Sequence, residues 1–295
     1  MQDPVRQSPD ATAFALMVLL CAVWGFGHVA AKLAAPGVSL VMQSGIRSVV
    51  ATLLLVAWAR WRGIALFTRD GTLWPGLAAG LLFAGEILFL FIGLEWTGAG
   101  RMAVFLYLAP FFTALGLAWW VPGERLARLQ WAGIGVAFAG VGLAFGDAFA
   151  TGGSTLRGDV FGVIAALMWA ATTVLIRATR LSSASATKTL FYQIGVAAAT
   201  LPLCSVLLGE PGVVRLDALT LASLAYQSVV VAFASYLAWF WLLTRFLAGR
   251  LSVFTFLTPL FGVLFGVLVL GEPLTPAFIG AALLVGAGIY LVNAK

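Results

Sequence analysis

The 295-residue chain is 62% hydrophobic and only 9% charged, with 17 Lys and Arg against 11 Asp and Glu and a net charge of +6. A soluble globular domain carries about 25% charged residues, so this composition excludes a water-soluble fold and makes lipid the solvent for most of the surface. A basic excess in a soluble protein would point to nucleic acid. Here the basic residues fall in short gaps between apolar runs and report topology instead, so no nucleic-acid partner is expected.

The first twelve residues are polar and mixed in charge. No small-residue cleavage site follows the first apolar run, which therefore reads as a retained span rather than a signal peptide. A spanning helix needs about 20 mostly apolar residues. Ten segments qualify: 13–33, 40–60, 74–95, 100–121, 128–146, 158–178, 187–208, 218–245, 250–270 and 275–293. The loops between them are short and leave no segment for a soluble domain. A membrane barrel would show alternating segments of about ten residues, and the chain has none. Cys21 and Cys204 lie inside apolar runs and read as small core residues rather than a disulfide.

With the N-terminus inside, the inner side holds Arg6, Arg60, Arg62, Arg69, Arg125, Arg128, Arg177, Arg180, Lys188, Arg245, Arg250 and Lys295. The outer side holds Lys32, Arg101, Arg157 and Arg215, while Arg47 lies within a span. Twelve against four predicts that both termini are cytoplasmic.

The chain repeats itself. Residues 99–110 (AGRMAVFLYLAP) align with residues 248–259 (AGRLSVFTFLTP), with seven of twelve positions identical. Each stretch runs on to a Gly-Glu pair, Gly123-Glu124 and Gly271-Glu272. At nearly the same offset Trp24 matches Trp169, and Lys32 matches Arg177. Each half then holds five spans. Five is odd, so residues 151–295 enter the membrane upside down relative to residues 1–150. Inverted repeats around a midplane site are a transporter architecture. The repeat also accounts for Arg101 on the outer side, since it copies a motif whose partner, Arg250, is inside.

Trp24-Gly25 followed by Lys32, with the paired Pro110/Glu124 and Pro259/Glu272 units, resembles the drug/metabolite transporter (DMT) superfamily in its EamA-type ten-span branch. Overall the chain is most similar to the YddG-like bacterial exporters of aromatic amino acids. The resemblance implies an all-α membrane protein, with ten transmembrane helices as two inverted five-helix repeats around a central cavity. It also implies residence in a bacterial cytoplasmic (inner) membrane and a small-molecule substrate. The expectation is a monomer without cofactor or metal.

Charged residues inside spans cost about 2.5–3.5 kcal/mol on insertion scales, so each is a functional candidate. Glu86, Arg47 and His28 are the three such residues at or just outside the midplane. They either form a polar vestibule for the charges of a substrate, or hold helices together through an Arg47–Glu86 ion pair and a packed His28. Gln43 shares a helix face with Arg47. Trp24 and Trp169 fall near span centres, while the other nine Trp residues sit near span ends or in loops, as an interfacial belt requires. A central indole needs a partner for its N–H. It walls a substrate cavity or packs between helices. Tyr107, Thr173, Tyr192, Gln193, Gln227 and Ser235 complete the candidate cavity, with Thr172, Tyr226 and Tyr236 as further mid-span residues. Pro110 and Pro259 each remove a backbone hydrogen bond and read as tolerated kinks or as repeat-related pivots. Glycines at 133, 135, 140, 142, 280, 286 and 288 predict close packing of the fifth and tenth spans. Glu124 and Glu272 read as charges at the starts of those helices.

An embedded enzyme would need a nucleophile or metal constellation. The chain has no HExxH, no Gly-x-Ser-x-Gly and a single histidine. An open channel fits a two-repeat body with pivots less well than alternating access does. No nucleotide-binding loop is present, so ATP does not drive transport within this chain. The substrate expectation is a zwitterionic amino acid, aromatic or otherwise neutral, with lipophilic cations as the alternative.

Overall fold

The computed structural model describes residues 11–120, 127–150, 155–245, 255 and 257–293. The Gly123-Glu124 pair, residues 248–254 of the second repeat motif, and Arg6, Arg125, Arg250 and Lys295 lie outside the described residues.

The described residues are helical, with one isolated antiparallel bridge between Val38 and Val213. The helices are α1 (Ala11–Ala34), α2 (Leu40–Trp61), α3 (Leu73–Gly93), α4 (Ala99–Leu106), α5 (Ala109–Trp120), α6 (Arg128–Ala150), α7 (Leu156–Ala178), α8 (Ala186–Leu207), α9 (Ala218–Ala225), α10 (Tyr236–Arg245), α11 (Leu257–Leu270) and α12 (Pro276–Asn293). A π-helical segment, Tyr226–Ser235, joins α9 to α10. Taking α4–α5 and α9–π–α10 as single passes, the chain crosses ten times. Among the described residues, seven of these passes are long and apolar enough to span a membrane. Helices solve the lipid problem because every backbone polar group is bonded within the segment. Trp61, Trp74, Trp119, Trp120 and Trp131 are exposed near helix ends, as an interfacial belt requires.

Helix contacts have a two-fold pattern. The α1–α11 contact is matched by contacts of α7 with α4 and α5, and the α3–α7 contact by contacts of α1 with α9 and the π segment. The α3–α8 contact is matched by α2 with α9 and the π segment, while α2–α8, α4–α11 and α6–α12 each map onto themselves. Exchanging the five-span halves leaves this pattern unchanged. On α6–α12 the glycine expectation holds in part. A Cβ on Gly140 would come 2.8 Å from the Ala281 carbonyl oxygen, and one on Gly288 2.6 Å from that of Gly133. Gly135, Gly142 and Gly286 face open space instead.

Helix ends show what the Gly271-Glu272 pair does. Gly271 (φ 64°) ends α11 in the left-handed region, where glycine carries no Cβ penalty. The chain then turns so that Glu272 points away from its own next helix. Its carboxylate accepts the Ala99 N–H at 2.5 Å and the Gly100 N–H at 3.0 Å, capping α4. Glu272 was expected at the start of the last helix. That position is filled by Thr275, whose hydroxyl accepts the Phe278 N–H at 3.1 Å. Gly209 (φ 69°) and Glu210 repeat the device. The Glu210 carboxylate takes the Val41 and Met42 N–H groups at 3.0 Å and caps α2. In both cases a carboxylate meets the positive end of a helix dipole in the other half of the chain.

Two charged clusters tie the ends together. Arg101 forms ion pairs with Asp147 at 2.9 Å and Asp159 at 2.5 Å and donates to the Ala144 carbonyl, joining α4, α6 and α7. On the opposite face Lys188, 2% exposed, donates to Asp70 and the Thr68 hydroxyl, both at 2.7 Å. The Lys188 ammonium, helped by the Thr72 and Thr68 hydroxyls, holds the Asp70 carboxyl well below the usual carboxylate range.

The expectation of a kink at Pro110 sharpens into a break. α4 ends at Leu106, Tyr107 and Leu108 form a turn, and Pro110 is the second residue of α5. There its missing N–H falls among groups that have no intrahelical partner anyway. Pro259 is the third residue of α11 and is buried.

Candidate functional site

A cavity of about 300 Å³ opens among the central helices, at the lower end of the range for small-molecule sites. Each half contributes a midplane indole. Trp24, fourteenth in α1, meets Trp239 edge-to-face at 6.0 Å between centroids, and Trp169, fourteenth in α7, meets Tyr107 at 5.7 Å. The Trp24 N–H donates to the Ser235 hydroxyl at 2.8 Å, which satisfies the polar atom of a half-buried indole.

His28, Arg47, Glu86, Thr173 and Gln193 also line this cavity, as does Pro110. Matching positions in the halves reappear together on its wall. His28 and Thr173 are each eighteenth in α1 and α7, and Arg47 and Gln193 are each eighth in α2 and α8. Glu86, fourteenth in α3, corresponds to Val231, fourteenth from the start of α9. The Arg47 guanidinium lies over the Phe91 ring at 5.3 Å. Among the described residues no ion pair joins Arg47 to Glu86. The helix-clamping pair is therefore absent, although the two charges and the Tyr236 hydroxyl lie close enough to interact. The Arg47 Nε and His28 Nδ1 atoms are buried without a hydrogen-bond partner.

Four residues expected on the cavity wall lie off it, as does Pro259, which was expected as a kink or pivot. Gln43 is fully buried, and its amide donates to the Ala31 and Val38 carbonyls at 3.0 and 2.8 Å while accepting from Gln227 at 2.9 Å. Those bonds join the end of α1, α2 and the π segment, so Gln43 and Gln227 hold the frame rather than face a substrate. Tyr192 turns from the centre toward the loop before α3, its hydroxyl 3.3 Å from that of Thr72. Ser235 stands behind Trp24, and Pro259 lies within the first turn of α11.

Tyr236, Trp239, Thr172, Thr255 and Thr258 line the cavity without having been named as cavity candidates. Tyr236 and Thr172 were visible as mid-span residues. Trp239 was counted with the interfacial belt. It was placed there by its distance from the end of the 218–245 span, a measure that does not say which face of the helix a residue is on. Counting from Tyr236 would have found it, because Trp239 lies three residues on and shares its face.

The EamA-like transporter family model matches residues 11–146 and again 156–294. An uncharacterized transporter of Archaeoglobus fulgidus is 29% identical over 95% of this chain and 96% of its own length. A probable amino-acid metabolite efflux pump of Salmonella typhimurium is 27% identical over 94% of this chain and 93% of its own. One crystal structure superposes on 96% of this chain and 98% of that one with a TM-score of 0.65 at 20% identity, which shows the shared fold. Two matches that together span nearly the whole chain, on ten passes around a central cavity, make this protein a membrane transporter of the EamA-like transporter family, within the DMT superfamily.

Proposed function

We propose that this transporter exports amino acids, aromatic and other neutral ones, or closely related metabolites, by alternating access. The observation that carries the reading is the cavity itself. Two perpendicular aromatic pairs, Trp24–Trp239 and Tyr107–Trp169, share it with one cation and one carboxylate that do not neutralise each other in an ion pair. Rings favour an aromatic or large apolar side chain. A phosphorylated substrate would call for several converging Lys or Arg groups, and among the described residues Arg47 is the one such residue on the wall. The efflux-pump name of the Salmonella typhimurium relative supports the same reading. We place the chain in a bacterial inner membrane with both termini cytoplasmic. Residues 1–150 and 151–295 act as the two inverted halves that rock about the cavity, and a single chain is the working unit.

A second reading rests on Glu86, since a lone carboxylate among aromatic rings also suits a lipophilic cation. The purified chain in liposomes should move tryptophan and phenylalanine ahead of a sugar phosphate and a quaternary ammonium dye, assayed with and without a pH gradient. Transport of the dye with neither amino acid moved replaces the amino-acid reading with the multidrug one.

A further inference from the structure

Depth separates the polar groups of the cavity into tiers. His28 lies six residues before the end of α1, Arg47 seven after the start of α2, and Glu86 seven before the end of α3. At about 1.5 Å per residue, all three sit roughly 9–11 Å below one face, the face carrying loops 35–39 and 94–98. Trp24 and Trp169 lie near the middle. Thr173, five residues before the end of α7, and Gln193, seven after the start of α8, sit at about the same depth below the opposite face. Exchange of the halves therefore puts matching positions at opposite ends of one cavity. The chain fills those ends with opposite chemistry, ionisable groups at one and neutral hydrogen-bonding groups at the other.

Two buried nitrogens at the ionisable end also lack a partner among the described residues. Among the described residues Arg47 has no ion pair, its Nε is buried without a partner, and the same holds for His28 Nδ1. Glu86 is 7% exposed and likewise has no ion pair. Arg101 shows the contrast, since it is saturated by two aspartates. Opposite charges held side by side but apart complement a molecule that carries both. A guanidinium presents a planar fork to a carboxylate, and a carboxylate accepts from an ammonium.

We propose that Arg47 and Glu86 form a head-group subsite that binds the α-carboxylate and the α-ammonium of an amino acid in one orientation, with Glu86 the residue that rejects carboxylic acids lacking the amine. The side chain then points through the Trp tier toward Thr173 and Gln193. This inference rests on the amino-acid reading above.

The test compares phenylalanine with 3-phenylpropanoate, which lacks the ammonium, and phenethylamine, which lacks the carboxylate. With the wild-type chain in liposomes, each analogue should compete against labelled phenylalanine at least roughly tenfold more weakly than unlabelled phenylalanine does. Glu86→Gln should erase the preference over 3-phenylpropanoate and keep that over phenethylamine. Arg47→Gln should do the reverse. Helix packing alone would not produce opposite selectivity changes. Equal competition by either analogue in the wild type overturns the proposal without needing a variant, and so do unchanged preferences in both variants. If the wild type moves no amino acid at all, the amino-acid reading fails and takes this one with it. If it moves phenylalanine but does not distinguish the analogues, only the head-group subsite fails.

Discussion

Charge inside this chain is used in two ways, and individual residues show which. Arg101 is surrounded by Asp147, Asp159 and the Ala144 carbonyl, and its role is to hold α4 against α6 and α7. Among the described residues Arg47 and Glu86 have no ion pair, and both face the cavity. Sequence alone marked Arg47 and Glu86 as costly mid-span charges and put Arg101 on the outer side, because depth is readable from a span while the identity of the neighbours is not. Glu272 is the clearest case of a role set by the neighbour. It was read as serving its own helix, yet it caps α4 through the Ala99 and Gly100 N–H groups. Loss of an N-cap costs about 0.5–2 kcal/mol. Glu272→Ala should lower the unfolding stability of the detergent-solubilised chain by about 1–2 kcal/mol. Glu272→Gln should lower it less, since an amide oxygen still accepts. Both variants should keep the wild-type order of substrates. A changed order would mean that Glu272 reaches the substrate after all.

At the scale of elements, the expected span positions agree with the observed helices to within a few residues where both are described, and the reason is physical. A run of about 20 apolar residues has one stable conformation in lipid. What hydropathy could not carry was the interior of the spans. The turn at Tyr107–Leu108 and the π segment Tyr226–Ser235 both lie inside runs that read as continuous helix. Hydropathy averages over a window and is blind to where a hydrogen bond is skipped. Pro110 was the one visible sign, and it marks the start of α5 rather than the middle of a bent helix. The π segment left no such sign. If Pro110 and Pro259 act as pivots, their value lies in keeping the backbone from closing into an unbroken helix. Alanine at position 110 regains an N–H that can bond the Leu106 carbonyl and stiffen the pass. Pro110→Ala and Pro259→Ala should each slow transport several-fold while folded yield and equilibrium substrate binding stay close to wild type. Undiminished flux in both variants would leave the prolines as tolerated breaks.

For the whole molecule, the two-fold pattern of helix contacts bears on how the chain sits in the membrane. Two halves of five spans that pack symmetrically must insert with opposite orientations, so motif residues copied from one half to the other fall on opposite faces. That removes the main objection to the charge count, because Arg101 faces the side poor in basic residues and is neutralised there by Asp147 and Asp159. Arg60, Arg62, Arg69, Arg128, Arg177, Arg180 and Lys188 lie at helix ends or loops of the other face. The Lys188–Asp70 pair ties two of those loop regions together. Basic residues in short loops stay on the cytoplasmic side, while acidic residues count little. The face bearing this group should therefore be cytoplasmic. With ten passes, both termini should share that face. A reporter fused after Lys295 should be active when it is one that works in the cytoplasm and silent when it is one that requires the periplasm. One fused within the loop between α8 and α9 should behave in the opposite way. A periplasmic result at Lys295 would overturn the ten-pass orientation, and a cytoplasmic result at both sites would mean that the second half does not insert inverted.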